Sequence, residues 1–281
     1  MTPWGFFLFP ARKPFYASLP WVASLALLST LSACNIPKAS EGAKLNRAGE
    51  VAVDRNNQRD SLSLATPSTP ANTDDATSPT SSFDLTRFST SDPTSPWVVV
   101  NKSLPLNPID FVPADLVDVI SGHELRQIVQ PDFDALMSAA TTAGVNLTVE
   151  SAFRDYSHQE KIYNNMVAVY GSEHTDKVSA RPGHSEHQTG LTLDFGSSTN
   201  PGCNFMACFA TTAEGVWLQE NAADFGFIVR YGESNTEVTG YSAEGWHLRW
   251  VGRELSTYLK SQNLTTLEEA FGLSGGWTYQ N

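Results

Sequence analysis

Two histidines and one aspartate in the second half of the chain have the residue types of a metal site. His187 and Asp194 are seven positions apart, and His247 follows about fifty residues later. Two imidazoles and one carboxylate leave a fourth position open on zinc, which is typical of a catalytic site rather than of a closed structural one. The residue types therefore predict a hydrolase that holds one zinc ion per domain.

The chain between His187 and Asp194 must fold back if both residues are to reach one metal ion. On a continuous helix, seven positions would separate them by roughly 10 Å along the axis. Gly190 can supply a bend, because glycine tolerates backbone conformations that other residues avoid. The alternation of apolar and polar residues from 191 to 195 predicts a short strand with Asp194 on the face opposite the leucines.

Glu244 is the candidate proton acceptor. It lies three positions before His247, and residues three apart cannot face the same side of a regular strand. We therefore place Glu244 in a turn that leads into a strand over residues 246 to 251. A carboxylate close to the third ligand, but not needed to complete the ligand set, is suited to take a proton from an attacking water.

Four blocks of this sequence resemble the VanY-type D-alanyl-D-alanine carboxypeptidases. The blocks are SAFRDYSHQ (151 to 159), ARPGHSEHQTGLTLD (180 to 194), FGFIVRY (225 to 231) and EGWHLR (244 to 249). The similarity extends from about residue 98 to residue 260. Enzymes of this family are zinc peptidases that trim the stem peptide of bacterial peptidoglycan, so the resemblance implies the same activity here.

The resemblance also implies roles for individual residues. It implies that the zinc ligands are His187, Asp194 and His247 and that the general base is Glu244. Arg154 matches the arginine that the family places beside the scissile carbonyl. Gln159 and Ser185 match family positions near the substrate.

The expected reaction is removal of the C-terminal D-alanine from the stem peptide. The alternatives are an L,D-carboxypeptidase or an endopeptidase of the same fold, because the shape of the pocket, rather than the metal motif, selects the bond. A non-catalytic peptidoglycan-binding lipoprotein is a further alternative. It is suggested by Ala152 and Gly245, where the family usually has glycine and proline, and opposed by the intact set of ligands and base.

The amino-terminal third has the features of an exported lipoprotein. Residues 1–33 contain Arg12 and Lys13, no acidic residue and an apolar run, which predicts a signal peptide. The ending Leu-Ser-Ala-Cys34 resembles a bacterial lipobox and implies lipid attachment to Cys34. Residues 34–96 are rich in Ser, Thr and Pro without periodicity, so we expect a disordered tether. The expected location is the outer face of a cell-envelope membrane, held by the lipid anchor alone, and the outer membrane if the host is Gram-negative.

Two further cysteines agree with export. Cys203 and Cys208 form an even pair within a short loop, which favours a local disulfide in an oxidising compartment. A second zinc clip is the rival interpretation, but the two other ligands of a structural site are missing nearby.

The charge of the chain restricts its partners. With 18 basic and 30 acidic residues the net charge is −12, and removing Arg12 and Lys13 with the signal peptide makes it −14. Nucleic acid is therefore excluded as an expected partner. We expect a monomer that binds its stem peptide through local groups, among them Arg154 and Arg181.

Residues 97–281 are enough for one catalytic domain. Periodicity predicts helices near 113–119, 130–143, 157–170, 214–225, 252–261 and 266–271. It predicts strands near 145–149, 191–195, 227–230 and 246–251. Helices packed on a small, mainly antiparallel sheet make an α+β fold.

Overall fold

The computed structural model describes residues 83–279. The predicted signal peptide, Cys34 and the first part of the predicted tether lie outside these described residues. Within 83–279, no helix combines the length and the apolar character that crossing a membrane requires.

The described chain alternates strands and helices around a central sheet. The elements in chain order are β1 (Leu116–Ile120), β2 (His123–Arg126), α1 (Gln130–Thr142), β3 (Leu147–Ser151), α2 (Tyr156–Tyr170), α3 (Ser172–Val178), β4 (Thr192–Ser197), α4 (Ala213–Asn221), β5 (Phe227–Tyr231), α5 (Thr236–Thr239), β6 (Glu244–Trp250), α6 (Arg253–Gln262) and α7 (Leu267–Phe271). Strands β3, β4, β6 and β5, in that order, form one antiparallel sheet. The predicted α+β fold is confirmed.

The predicted helix near residues 113–119 is wrong, because this segment forms strand β1 of a hairpin. Strand β1 pairs antiparallel with β2, and Ser121 and Gly122 between them have φ values of 50° and 83°. Two successive positive φ values are the signature of a tight two-residue hairpin turn. The turn and the pairing with β2 override the local helical pattern.

The inner face of the sheet carries the main hydrophobic core. Leu191, Leu193 and Phe195 alternate with polar residues, and all three are fully buried. They pack in one cluster with Leu248 of β6 and with apolar residues of α1 and α4. The predicted alternation around Asp194 therefore fixes which face of β4 enters the core and which face carries the carboxylate.

A second apolar cluster extends the domain toward its amino terminus. Phe83 stacks on Tyr258 of α6 with ring centroids 4.6 Å apart. The backbone amide of Val99 donates to the carbonyl of Thr90 at 2.9 Å, and the indole of Trp97 donates to the carbonyl of Val251 at 3.0 Å. Residues 83–96, assigned to the tether by their composition, thus include residues that pack against the domain.

The predicted bend at Gly190 connects the site to the sheet. Residues Glu186–Thr189 form a single 3-10 turn, which Gly190 ends with a φ of 65°. A Cβ added to Gly190 would lie 2.9 Å from Arg126 Cγ and 3.0 Å from Leu116 Cδ2. Glycine is needed here both for the left-handed backbone and for the close approach of the β1–β2 hairpin.

We expect Gly190→Ala to lower the free energy of unfolding by roughly 1–3 kcal/mol, because it adds backbone strain and overpacks the hairpin contact. Urea unfolding followed by tryptophan fluorescence measures the change. Gly202→Ala is the matched control, since a Cβ there meets nothing within 4 Å. Equal stabilities of the two variants would contradict this account of the bend.

Candidate active site

His187, Asp194 and His247 converge beside the paired strands β4 and β6. His187 Nε2 lies 3.2 Å from Asp194 Oδ2, and His247 Nδ1 lies 3.3 Å from Asp194 Oδ1. The possible ligand atoms of the three residues are all within 4.8 Å of one another, and all three side chains are buried. Three groups drawn from two separate parts of the sequence therefore share one small volume.

Strand pairing brings the two strand residues together. Asp194 of β4 is the direct antiparallel partner of His247 of β6. Directly opposed residues on antiparallel strands have Cβ atoms only about 4.5–5.5 Å apart, which suits two ligands of one ion. His187 reaches the same point from the 3-10 turn before Gly190.

Each imidazole is oriented by a contact on the side away from Asp194. His187 Nδ1 lies 2.7 Å from the carbonyl oxygen of Ala152, which can only accept, so this nitrogen carries the proton and Nε2 is free to bind a cation. His247 Nε2 lies 3.3 Å from Glu186 Oε2, which leaves Nδ1 directed at Asp194. Histidines that bind metals usually have such a partner on the second nitrogen.

The carboxylate of Asp194 has capacity left for a cation. Its Oδ1 atom is buried and makes no hydrogen bond within the described residues, although His247 Nδ1 lies at ion-pair distance. Burial would raise the pKa of Asp194, but the two imidazoles hold it well below its usual range. An ionised, under-coordinated carboxylate beside two imidazole nitrogens is a donor set that fits zinc with one open position.

Glu244 reaches the same site through an irregularity in β6. Tyr231 pairs with Glu244 while Val229 pairs with Leu248, so the register shifts between them. The bulge lets Glu244 and His247 face the same side, with Glu244 Oε2 at 3.6 Å from His247 Nδ1. Burial raises the pKa of Glu244 to about 7, against the lowering effect of His247.

Arg154 lies beside Asp194 and is held by uncharged groups. Its guanidinium donates from Nη1 to Gln159 Oε1 at 2.8 Å and from Nη2 to the Ser151 hydroxyl at 3.1 Å. The distance from Nη2 to Asp194 Oδ2 is 3.9 Å, and Glu150 bonds to Thr148 and Asn204 instead. Arg154 therefore keeps donor capacity directed into the cleft.

The structure brings two of the three expected substrate residues into the cleft. Gln159 is buried, and besides accepting from Arg154 it donates to the carbonyl of Ala180 at 2.6 Å. Ser185 is buried at the start of the 3-10 turn and lines the cleft. Arg181 is not among the cleft-lining residues, because Asp176 binds its guanidinium at 2.9 Å and Tyr279 lies under it.

The sequence did not indicate the role of Glu186. Its Oε1 accepts from Arg230 Nε at 2.9 Å and from Arg249 Nη1 at 3.1 Å, while Oε2 faces His247. Burial would raise the pKa of Glu186, but the two arginines hold it well below its usual range. Because its partners lie 44 and 63 positions away, only the pairing of β5 and β6 reveals this ion network.

The predicted disulfide is present, and it links Cys203 to Cys208 in the loop after β4. This loop forms part of one wall of a cleft of about 860 Å³ that contains the residues above. Helix α2 also contributes residues to the lining of this cleft. An α+β domain that displays a zinc-type donor set, a spare carboxylate and an arginine in one cleft has the site of a metallopeptidase.

Comparison with known proteins assigns the family. The VanY model, described as D-alanyl-D-alanine carboxypeptidase, matches residues 122–253. The chain is similar to the putative carboxypeptidase YodJ of Bacillus subtilis, with 36% identity over 62% of this chain and 66% of that protein, just under two thirds of its length.

Two solved structures are similar to this chain in both fold and sequence. The LdcB LD-carboxypeptidase has a TM-score of 0.59 and 34% identity, covering 65% of this chain and 88% of that one. The D,D-pentapeptidase VanY of the VanB-type resistance cassette, solved as a mutant in complex with Zn(II), has a TM-score of 0.53 and 32% identity, covering 61% and 96%. The chain belongs to the VanY family of D-alanyl-D-alanine carboxypeptidases.

Proposed function

We propose that this protein is a zinc-dependent D-alanyl-D-alanine carboxypeptidase that removes the C-terminal D-alanine from peptidoglycan stem peptides. The observation that supports this most directly is the buried group of His187, Asp194 and His247 with Glu244 beside it. A metal donor set with a carboxylate at 3.6 Å from one of its members matches the needs of peptide hydrolysis.

The proposed zinc ligands are His187 Nε2, His247 Nδ1 and a carboxylate oxygen of Asp194. When bound, zinc supplies Lewis-acid polarisation of a carbonyl and makes water more acidic at neutral pH. The contacts of Ala152 and Glu186 with the remaining imidazole nitrogens keep both rings pointed at Asp194.

Glu244 is the proposed general base and, later, the general acid. Its carboxylate takes a proton from the attacking water and delivers it to the amine of the departing D-alanine. A pKa raised by burial to about 7 suits a group that must both accept and donate a proton near neutral pH.

Arg154 is the proposed electrostatic partner of the scissile carbonyl. Its guanidinium donates to the carbonyl oxygen as negative charge develops there during attack. Ser151 and Gln159 fix the plane of the guanidinium before the substrate arrives, so little reorganisation is needed during the reaction. Ser185 is proposed to contact the substrate at the same end of the cleft.

The similarity to LdcB favours an L,D-carboxypeptidase as the second candidate. That structure is matched over 88% of its chain and is described as an LD-carboxypeptidase. Both candidates use the same proposed metal and base. They differ in the residue before the scissile bond, which is D-alanine in the pentapeptide and the L-configured diamino acid in the tetrapeptide. Both candidates act on peptidoglycan peptides, so we propose an extracytoplasmic location. We also propose a monomer that is anchored through lipid on Cys34.

The test is to incubate the zinc-loaded full chain with defined pentapeptide and tetrapeptide stem fragments and to follow D-alanine release by mass spectrometry. We expect the pentapeptide to lose one residue and the tetrapeptide to stay intact. Trimming of the tetrapeptide alone would replace the proposal with the L,D activity. If the folded, zinc-loaded chain trims neither fragment, the carboxypeptidase proposal is refuted, and an endopeptidase or a wall-binding protein takes its place.

A further inference from the structure

Two apolar walls, each a group of neighbouring residues, contribute to the lining of the cleft. One wall is a stripe on α2, formed by Ile162, Met166 and Tyr170 at successive spacings of four. The other is formed by Phe205 and Met206 of the disulfide loop and by Trp246 of β6. Tyr170, Phe205 and Met206 are 60, 47 and 57% exposed, so the cleft offers uncovered apolar surface.

The disulfide loop is held in place at several points. The Cys203–Cys208 bond closes it across five positions. Inside it, Asn204 Oδ1 accepts from the backbone amide of Ser197 at 2.9 Å, and Asn204 Nδ2 donates to Glu150 Oε1 at 2.9 Å. These bonds fasten the loop to β4 and β3, the strands that also carry Asp194 and lead to Arg154.

Phe205 is displayed in an unfavourable backbone conformation. Its φ is 58°, in the left-handed region that non-glycine residues rarely adopt. Its ring nevertheless stays partly exposed, edge-on to Trp246 with centroids 6.2 Å apart. A strained backbone that presents an exposed aromatic ring over a catalytic cleft is typical of a ligand-contacting position.

We propose that Phe205 and Met206 form a recognition wall for the aliphatic part of the stem peptide on the amino-terminal side of the scissile bond. This inference rests on the proposed function. A carboxypeptidase leaves only one residue on the carboxyl side, so any extended contact must reach toward the amino terminus. The diamino acid that precedes the terminal alanines in stem peptides has the long alkyl chain that an apolar wall can bury.

The wall makes Phe205 and Met206 specificity-determining residues. A terminal D-alanyl-D-alanine unit carries only two methyl groups, whereas a cleft of about 860 Å³ has room for several residues. Contacts made only by a long substrate favour that substrate over a short one through kcat/KM. The protein is therefore expected to prefer complete stem peptides to short acylated dipeptides.

The experiment compares kcat/KM for a stem pentapeptide and for N-acetyl-D-alanyl-D-alanine. In the Phe205→Ala/Met206→Ala variant, the ratio of the two values is expected to fall roughly tenfold. Val169→Ala is the matched control, because Val169 is 71% exposed on α2 and does not line the cleft. Its ratio should equal that of the unmodified chain. Zinc content and the unfolding midpoint confirm that both variants are folded.

An unchanged ratio in the folded double variant would overturn the recognition wall. An equal loss on both substrates would overturn it as well, since that result would move the two residues from recognition to the reaction or to site integrity. If the unmodified chain cleaves neither substrate, the proposed function fails separately. Binding of the pentapeptide by calorimetry then decides, and equal affinities of the double variant and the unmodified chain would refute the wall.

Discussion

Glu244→Gln is expected to lower turnover of the stem pentapeptide by roughly 10²–10⁴-fold while the protein still binds zinc. The amide is similar in size and keeps the packing of the buried side chain, but it cannot take a proton from water. Glu244 lies beside the three proposed zinc ligands, with its Oε2 at 3.6 Å from His247 Nδ1, and is not needed to complete the ligand set. Turnover should therefore fall far more than zinc affinity.

The measurement pairs single-turnover kinetics with zinc content determined on the same sample. Glu237→Gln removes an exposed carboxylate on α5 and serves as the control for the change in charge. Loss of zinc from the Glu244→Gln variant would show that Glu244 is a ligand. Full turnover by the variant would show that Glu244 has no part in the reaction. Only zinc retention with lost turnover fits the assigned role.

Much of this site follows from patterns that are local in the sequence. The alternation from Leu191 to Phe195 places Asp194 on the polar face of a strand, and a glycine at 190 allows the fold-back that His187 requires. These inferences need only the period of a strand and the conformational freedom of glycine. For the same reason, most helices and strands lie within a few residues of their predicted bounds.

Glu244 marks the limit of such reasoning. A strand period forbids it from facing the same side as His247, so the sequence places it in a turn, whereas the structure extends β6 to Glu244 through a register shift against β5. A bulge is a property of two paired strands and leaves little trace in either one. An added Cβ at Gly245 would lie 3.0 Å from Ala210 Cβ, so glycine at this position permits close packing against the segment that carries Ala210.

Long-range partners account for what the sequence does not reveal. Residues 83–96 have the composition of a tether, yet their apolar side chains find partners on α6. The sequence of strand β1 has a helical pattern, and only its pairing with β2 shows that it forms a strand. Likewise, the burial of the Glu186 carboxylate is explained only by its ion pairs with Arg230 and Arg249.

Glu186 connects the proposed zinc ligand His247 to the carboxyl-terminal part of the domain. Arg230, which binds Glu186, also makes a two-pronged contact with Glu268 of α7 at 2.7 and 2.9 Å. Asn101 donates to the same glutamate at 2.9 Å. Glu268 and Asn101 lie outside the segment that the family model matches, and the network joins them to His247 through Glu186.

We therefore expect Glu186→Gln to weaken both stability and metal binding. Two arginines lose a shared carboxylate in a fully buried network, and breaking a buried ion pair from one side costs about 3–5 kcal/mol. The amide keeps one acceptor oxygen, which the two arginines hold, so an NH2 group faces His247 and the acceptor that orients its ring is lost. Removing such a partner typically lowers metal affinity roughly 10–100-fold. A variant that merely lost global stability would bind zinc normally while folded, so the two measurements separate the effects.

Urea unfolding gives the stability, and competition with a zinc chelator below the unfolding range gives the affinity. Glu254→Gln is the matched control, because Glu254 pairs with Arg87 at the surface, where such a pair contributes about 0–1 kcal/mol. Unchanged zinc affinity in folded Glu186→Gln would show that packing alone orients His247. Weakened affinity would mean that the electrostatic network under β5 and β6, and through it α7, helps to hold the ligand in place.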